Sequence, residues 1–184
     1  MTAHQRSLCI ALIAALMLLA GQGLAKAASA GEINASVNAT LDRFYRQIPG
    51  ARDLSARAAG VLVFPTVVKA GFGVGGEYGE GAMRIGGKTA GYYNTISASF
   101  GFQLGAQARS VIIMFMTPEA LAGFRRVDGF KIGVDGSVAI IVVGAGGSID
   151  TEKVTSPVIG FILDPKGLMY NLTLEGSKIT RISR

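Results

Sequence analysis

Ser97-Ala98-Ser99-Phe100-Gly101-Phe102-Gln103-Leu104 closes the glycine-rich stretch that decides the fold of this 184-residue chain. Between Gly71 and Gly105, 11 of 35 residues are glycine, against an average usage of about 7%. Apolar and polar residues alternate between the glycines, which is typical of strands and excludes collagen-like or disordered glycine. Glycine weakens a strand unless the strand bends or lies close to other backbone. The stretch therefore predicts strands that bend sharply or pack closely on other backbone.

Two helices are predicted before this stretch. Apolar residues from Ile33 to Ile48 recur at three- and four-residue spacing, with Arg43 and Arg46 one turn apart on a different face. Pro49-Gly50 ends that helix. A second, short helix is predicted over residues 53–59, followed by an apolar strand over residues 61–64.

One more helix and several strands are predicted after the stretch. Thr117-Pro118-Glu119 supplies an N-cap, a proline at the first helical position and an acid near the positive end of the helix dipole, so a helix should run to Arg126. Strands are predicted at residues 137–143, 158–163, 168–174 and 178–182, separated by the turn pairs Asp135-Gly136, Asp164-Pro165 and Glu175-Gly176. The pattern predicts an α+β fold, with a mainly antiparallel, strongly curved or barrel-like sheet and N-terminal and flanking helices.

The N-terminus has the pattern of a secretory signal peptide. Arg6 precedes 13 apolar residues, 8–20, which are too few to span a bilayer as a helix. Small residues favour cleavage after Ala27 or Ala30, and we predict Ala27; the alternative is an uncleaved N-terminal anchor. The interpretation is a signal peptide over residues 1–27 and one domain over residues 28–184, with helices at about 32–59 and a β-rich core at about 60–184. The chain is then exported, and periplasmic or envelope-associated.

Cleavage changes the available chemistry, because His4 and Cys9 leave with the signal peptide. Without imidazole or thiolate, the mature chain has no Ser-His-Asp or Cys-His pair and no ordinary zinc or transition-metal site. We expect no catalytic residues, no metal and no cofactor. Removal of Arg6 and Lys26 leaves 16 Lys and Arg against 12 Asp and Glu. This mild excess suits acidic lipids, while the scattered charges, with only Arg125-Arg126 adjacent, argue against nucleic acid.

Three further motifs are weaker indications of a binding or catalytic site. Residues 71–76 fit the G-x-G-x-x-G dinucleotide pattern by letter, but the residues that follow are a poor helix start, so we predict no nucleotide site. Glu77 and Glu80 would form a catalytic carboxylate pair only if they met across a cleft, and exposed turn carboxylates are the favoured interpretation. The spacing of Asp135, Asp150 and Glu152 matches no EF-hand, and these are expected to be turn residues.

The first helix and its basic neighbours are the strongest physical candidate for a binding surface. Basic charge beside an apolar stripe attracts acidic headgroups, and the apolar groups then insert. The stripe can also pack on the protein's own core, and we expect that role to be the larger one. Phe44→Ala should then lower the melting temperature, and Arg43→Glu with Arg46→Glu should weaken lipid binding without unfolding. The basic residues concerned are Arg43, Arg46, Arg52, Arg57, Lys69 and Arg84.

Several ordered segments resemble the SYLF family. The first are Lys69-Ala70-Gly71-Phe72, Gly76-Glu77-Tyr78-Gly79-Glu80-Gly81 and Ser99-Phe100-Gly101-Phe102-Gln103-Leu104-Gly105-Ala106-Gln107. Further segments follow in family order at residues 112–121, 133–139, 166–168 and 174–177, so the resemblance covers about residues 54–182. A series of segments in order is more specific than any single glycine pattern.

The resemblance implies a non-enzymatic module that binds phosphoinositides or other acidic lipids, with actin binding in some eukaryotic members. For an exported chain, the expected partner is an acidic lipid or membrane surface of the envelope. The alternatives are a protein-interaction or assembly module, including a homo-oligomer, and, less favoured, a carboxylate-dependent hydrolase. Lys69 is the matched basic position, and Arg43 and Arg46 enter by analogy. The predicted lipid-binding residues are Arg43, Phe44, Arg46, Lys69 and Arg84.

Overall fold

The computed structural model describes residues 27–143, 155–167, 174 and 176–184. Several sequence predictions fall outside these residues. They are the signal peptide up to residue 26, the strand over residues 168–174 up to residue 173, and the turn roles of Asp150, Glu152 and Glu175.

Two helices precede the sheet, as the apolar spacing predicted. Helix α1 spans Ala30–Gln47 and begins with a capping box. The Ser29 side chain accepts from the Glu32 backbone N–H, and the Glu32 carboxylate accepts from the Ser29 N–H at 2.7 Å. These two bonds satisfy donors that a helix start leaves unpaired. Helix α2, Ala51–Arg57, begins two residues earlier than predicted, after Gly50 with φ 77°.

Two long strands form the centre of the molecule. Strand β1 spans Gly60–Ile85 and strand β2 spans Lys88–Phe115, and they pair antiparallel from end to end. Gly86 and Gly87 connect them with φ of 56° and 77°. Two successive positive φ angles are those of a type I′ hairpin turn, which glycine adopts without strain.

The hairpin is folded back on itself, as the glycine content predicted. At about 3.4 Å per residue, the stretch from Val63 to Gly81 would extend roughly 60 Å if straight. Instead, a Cβ added to Gly79 would lie 2.9 Å from the Thr66 carbonyl oxygen, and one added to Gly81 would lie 2.8 Å from Phe64 Cδ1. The two halves of β1 therefore touch through backbone that only glycine permits. The strongly curved sheet is confirmed.

The remaining elements extend the sheet on one side of β2. They are helix α3, Pro118–Arg126, and strands β3, Phe130–Lys131, β4, Ala139–Val143, β5, Val158–Gly167, and β6, Lys178–Ile182. The strand order is β3-β6-β2-β5-β4, with β1 on the other side of β2. All pairs are antiparallel except β4 with β5. The sheet is thus mainly antiparallel, and the α+β fold is confirmed.

One predicted turn is wrong. Asp164-Pro165 does not separate two strands, because β5 continues through it. Leu163 pairs with Ser110 and Lys166 pairs with Ala108, with an irregular register between them. Asp164 takes a φ of 48° at this point. A turn-forming pair can therefore produce a bulge inside a strand instead of reversing the chain.

Two core clusters lie on opposite faces of three paired strand segments, which are residues 61–64 of β1, 111–115 of β2 and 159–163 of β5. Cluster 1 is formed by α1, α2 and one face of these segments, and includes Val63, Ile112 and Phe161. Cluster 2 lies on the other face and includes Phe64, Ile113 and Ile162, together with α3, β6 and the folded-back half of the hairpin. Burial on both faces explains why these segments are continuous apolar runs in the sequence.

Candidate functional site

The structure places the three predicted lipid-binding residues of α1 in different environments. Phe44 is fully buried, with its ring 4.9 Å from that of Phe161. Arg43 Nη2 donates to Ser110 Oγ at 2.8 Å, and its Nε lies 2.9 Å from Asp164 Oδ2. Arg46 is exposed in the last turn of the helix. The Arg43 side chain is 38% exposed but is held by its two contacts, so reversing its charge would also remove them.

Arg84 joins the end of the hairpin to α1. Its Nη2 donates to Asn38 Oδ1 at 2.8 Å and to the Asn34 carbonyl at 3.4 Å, and its Nη1 donates to Thr89 Oγ1. Arg84 also lines a pocket of about 340 Å³ with Tyr45 and Ser55, whose hydroxyls are hydrogen-bonded to each other at 2.9 Å. Its guanidinium is therefore committed to internal contacts that position the helix on the sheet.

Lys69 belongs to a buried charge cluster near the fold of the hairpin, formed by Lys69, Glu77, Gln107 and Arg109. All four are at most 7% exposed. Arg109 Nη2 donates to Glu77 Oε2 at 2.7 Å. Lys69 and Gln107 are opposite each other on β1 and β2, while Glu77 comes from the folded-back half of β1. The buried charge cluster therefore links the two halves of the hairpin.

Burial raises the pKa of the Glu77 carboxyl above its usual range, and the charges of Arg109 and Lys69 offset part of that rise. Glu80 lies on the opposite face of β1, because it is three positions after Glu77 and side chains alternate along a strand. It accepts from Arg184 Nη2 and from the Tyr78 hydroxyl. The two carboxylates do not face a common cleft, so the pair considered for hydrolysis is not formed. The expectation of exposed turn carboxylates is wrong for Glu77, which is buried within β1.

Within the described ranges, no group of three or more His, Cys, Asp or Glu residues is arranged to hold a metal ion. In the same ranges, no helix is both long and apolar enough to span a membrane. Asp135, expected in a turn, accepts from the Lys131 backbone N–H at 2.7 Å. It therefore closes the turn that follows β3.

Sequence reasoning missed a second basic surface at the β3 end of the sheet, which we call the basic edge. Its five exposed basic residues form no ion pair with any other described residue. Lys131 of β3 lies directly opposite Lys178 of β6. Because side chains alternate along β6, Lys178 and Arg181 lie on opposite faces and border the edge from both sides. The basic residues of the basic edge are Arg125, Arg126, Lys131, Lys178 and Arg181.

A groove and two exposed valines complete the basic edge. The groove has a volume of about 480 Å³, is floored by Tyr93, Phe124 and Ile179, and is lined by three of the arginines. Val127 precedes β3 and is 41% exposed, and Val134 follows it and is 76% exposed. The sequence signal was the adjacent pair Arg125-Arg126. Lys178 and Arg181 are about 50 residues further on, and only the pairing of β3 with β6 brings them alongside.

The C-terminal half of the chain matches a known family. Residues 96–183 match the family model Ysc84, described as "Las17-binding protein actin regulator". This is the SYLF family that the ordered segments indicated, so that resemblance is confirmed over these residues. The matched region contains the five basic residues and both valines of the basic edge. A search of curated proteins found no match.

Proposed function

We propose that this chain, whose residues 96–183 match the family model Ysc84, or SYLF, is a non-enzymatic module that binds acidic lipid surfaces. The observation that carries the proposal is the distribution of charge in the described residues. Glu77 and Glu80 are engaged by Arg109 and Arg184, whereas the basic side chains of the basic edge are exposed without acidic partners. Such a surface attracts anions instead of performing acid–base chemistry.

An acidic membrane is the ligand that fits this charge distribution. Each basic residue near an anionic bilayer contributes about 1 kcal/mol of attraction. Contributions of that size produce useful affinity only when several residues face the same surface. If the chain is exported as its N-terminus predicts, that surface is a membrane leaflet of the cell envelope.

Vesicle flotation tests the proposal. The protein would be residues 28–184, which contain every helix and strand described. We expect it to float with phosphatidylcholine vesicles that contain phosphatidylglycerol, and not with phosphatidylcholine alone. Binding should weaken with added salt, because the screening length falls from about 30 Å at 0.01 M to about 8 Å at 0.15 M. No binding to any acidic vesicle would contradict the proposal.

Protein binding is the second candidate, and two observations favour it. The matching family is described as an actin regulator that binds a protein. Strand β4 also ends the strand order of the described sheet, with Val142 42% exposed. Strand edges can pair with another chain. Size-exclusion chromatography across protein concentrations separates the candidates, since a stable oligomer without affinity for lipid would favour assembly.

A further inference from the structure

We infer that the basic edge is the surface that contacts the membrane, with Val127 and Val134 entering the headgroup layer. The inference rests on the proposed function and specifies which part of the molecule performs it. It differs from the sequence prediction, which placed the contact on α1 and its neighbours.

The balance of charge favours the basic edge over the exposed surface of α1 and α2, which we call the helical face. Among the described residues of the basic edge, five basic side chains are accompanied by the carboxylates of Asp128 and Asp135. The helical face carries Arg43, Arg46, Arg52 and Arg57 against Asp42, Asp53 and Asp164. Arg43 is already paired with Asp164, and Arg52 lies 4.6 Å over the ring of Tyr45. More unneutralised charge is therefore available at the basic edge.

The facing pair Lys131 and Lys178 has no evident benefit for the free protein. Like charges directly opposite on neighbouring strands are destabilising. A lysine on an edge strand does discourage edge-to-edge pairing, but Lys131 alone would serve that purpose. The Lys178 side chain lies across Gly129, where an added Cβ would be 2.9 Å from Nζ. An anionic phosphate between the two ammonium groups would remove their repulsion.

The valines distinguish a membrane from a protein partner. Val127 and Val134 stand at opposite ends of the two-residue strand β3. Val127 directly follows Arg126, and the Val134 backbone N–H donates to the Lys131 carbonyl at 3.2 Å. Separate apolar side chains within a basic surface suit insertion among headgroups. A stable protein interface usually needs a continuous patch of about 800 Å² on each partner. The apolar residues of the basic edge are too dispersed to form its centre.

The groove provides room for a headgroup beside the inserted Val127. Arg125, Arg126 and Arg181 line it, and guanidinium groups bind phosphate oxygens through paired N–H donors. Arg125 and Arg126 also lie in the last turn of α3, where the helix dipole favours positive charge. The test therefore uses the two lysines, which have no such role in a helix.

Two matched double variants test the inference by flotation with phosphatidylcholine vesicles containing phosphatidylglycerol. Lys131→Glu with Lys178→Glu reverses the charge at the basic edge and keeps a like-charged pair across the strands, although Asp135, which accepts from the Lys131 backbone N–H, adds repulsion. Arg46→Glu with Arg57→Glu makes the same change in net charge on the helical face. Both arginines lie in the last turn of a helix, so circular dichroism must show that α1 and α2 persist in this variant. We expect the first variant to lose about tenfold or more in affinity and the second about twofold.

A third variant, Val134→Ser, should weaken binding without changing its dependence on salt, because it removes insertion and leaves every charge in place. Circular dichroism checks that all variants are folded. If the helical-face variant loses as much affinity as the edge variant or more, the inference is wrong and the proposed function stands. If the unaltered protein binds no acidic vesicle, the proposed function fails.

Discussion

Arg109 and Glu77 form an ion pair whose side chains are 1% and 2% exposed. Removing two charges from water costs several kcal/mol per ion, and only close pairing compensates for it. The raised pKa of Glu77 indicates that burial outweighs the attraction of Arg109 and Lys69. The stability contributed by Glu77 is therefore greatest below its ordinary pKa of 4.5. It declines as the pH rises through the pKa of the folded state.

Arg109→Met should make this dependence on pH steeper. Without the guanidinium, the pKa of Glu77 rises further, because the charge that most opposes its protonation is gone. At neutral pH, the variant should lose about 3–5 kcal/mol of unfolding free energy, since a buried carboxylate has lost its partner. Part of that loss should be recovered as the pH falls towards 4.5. Urea unfolding across this range measures both effects.

The double variant Glu77→Gln with Arg109→Met is the control. It has no titrating carboxyl at this position, so acidification should bring no recovery. It should also be more stable than Arg109→Met alone at neutral pH. An equal loss from Arg109→Met at every pH would instead assign the role of Arg109 to packing.

At the scale of elements, the fold of the long hairpin depends on glycine at the contact between its halves. Gly81→Ala would place a Cβ against the backbone of Val63 and the ring of Phe64. The strand must then move, which costs about 1–3 kcal/mol. Gly123→Ala is the matched substitution, because nothing lies within 4 Å of its added Cβ.

Gly123 lies inside α3, where alanine is more favourable than glycine by about 0.5–1 kcal/mol. Thermal unfolding should therefore show a lower midpoint for Gly81→Ala and a higher one for Gly123→Ala. If both substitutions changed the midpoint in the same direction and by the same amount, the close approach at Gly81 would not determine the stability of the hairpin.

The sequence predicted these elements better than it predicted the site. The spacing from Ile33 to Ile48 and the cap at Thr117 are local signals, and both helices lie where they indicated. Glycine density indicated a bend, but the partners of that bend, Val63 with Gly81, are 18 residues apart in sequence and carry no mutual signal. Lys131 and Lys178 are separated still further. Local patterns cannot report pairings of this kind.

At the scale of the whole molecule, one three-strand layer separates the two core clusters and belongs to both. Val63 and Phe64 are adjacent in sequence, yet they point into cluster 1 and cluster 2. The same is true of Ile112 with Ile113 and of Phe161 with Ile162. Loss of either cluster exposes one face of the shared strands, so the clusters should not unfold independently.

Phe44→Ala and Phe124→Ala test this coupling, because Phe44 is 0% exposed in cluster 1 and Phe124 is 3% exposed in cluster 2. Each truncation leaves a cavity that should cost about 3–5 kcal/mol. Far-ultraviolet circular dichroism follows the backbone, and near-ultraviolet circular dichroism follows the packing of the aromatic side chains, which include Tyr45 beside cluster 1 and Tyr93 within cluster 2. We expect coincident transitions in both variants, with the midpoint lowered for both signals.

If Phe44→Ala shifted only part of the transition, the helices would unfold separately from the sheet. The apolar stripe of α1 would then be free to leave the core, and the helical face would again be a candidate for the membrane contact.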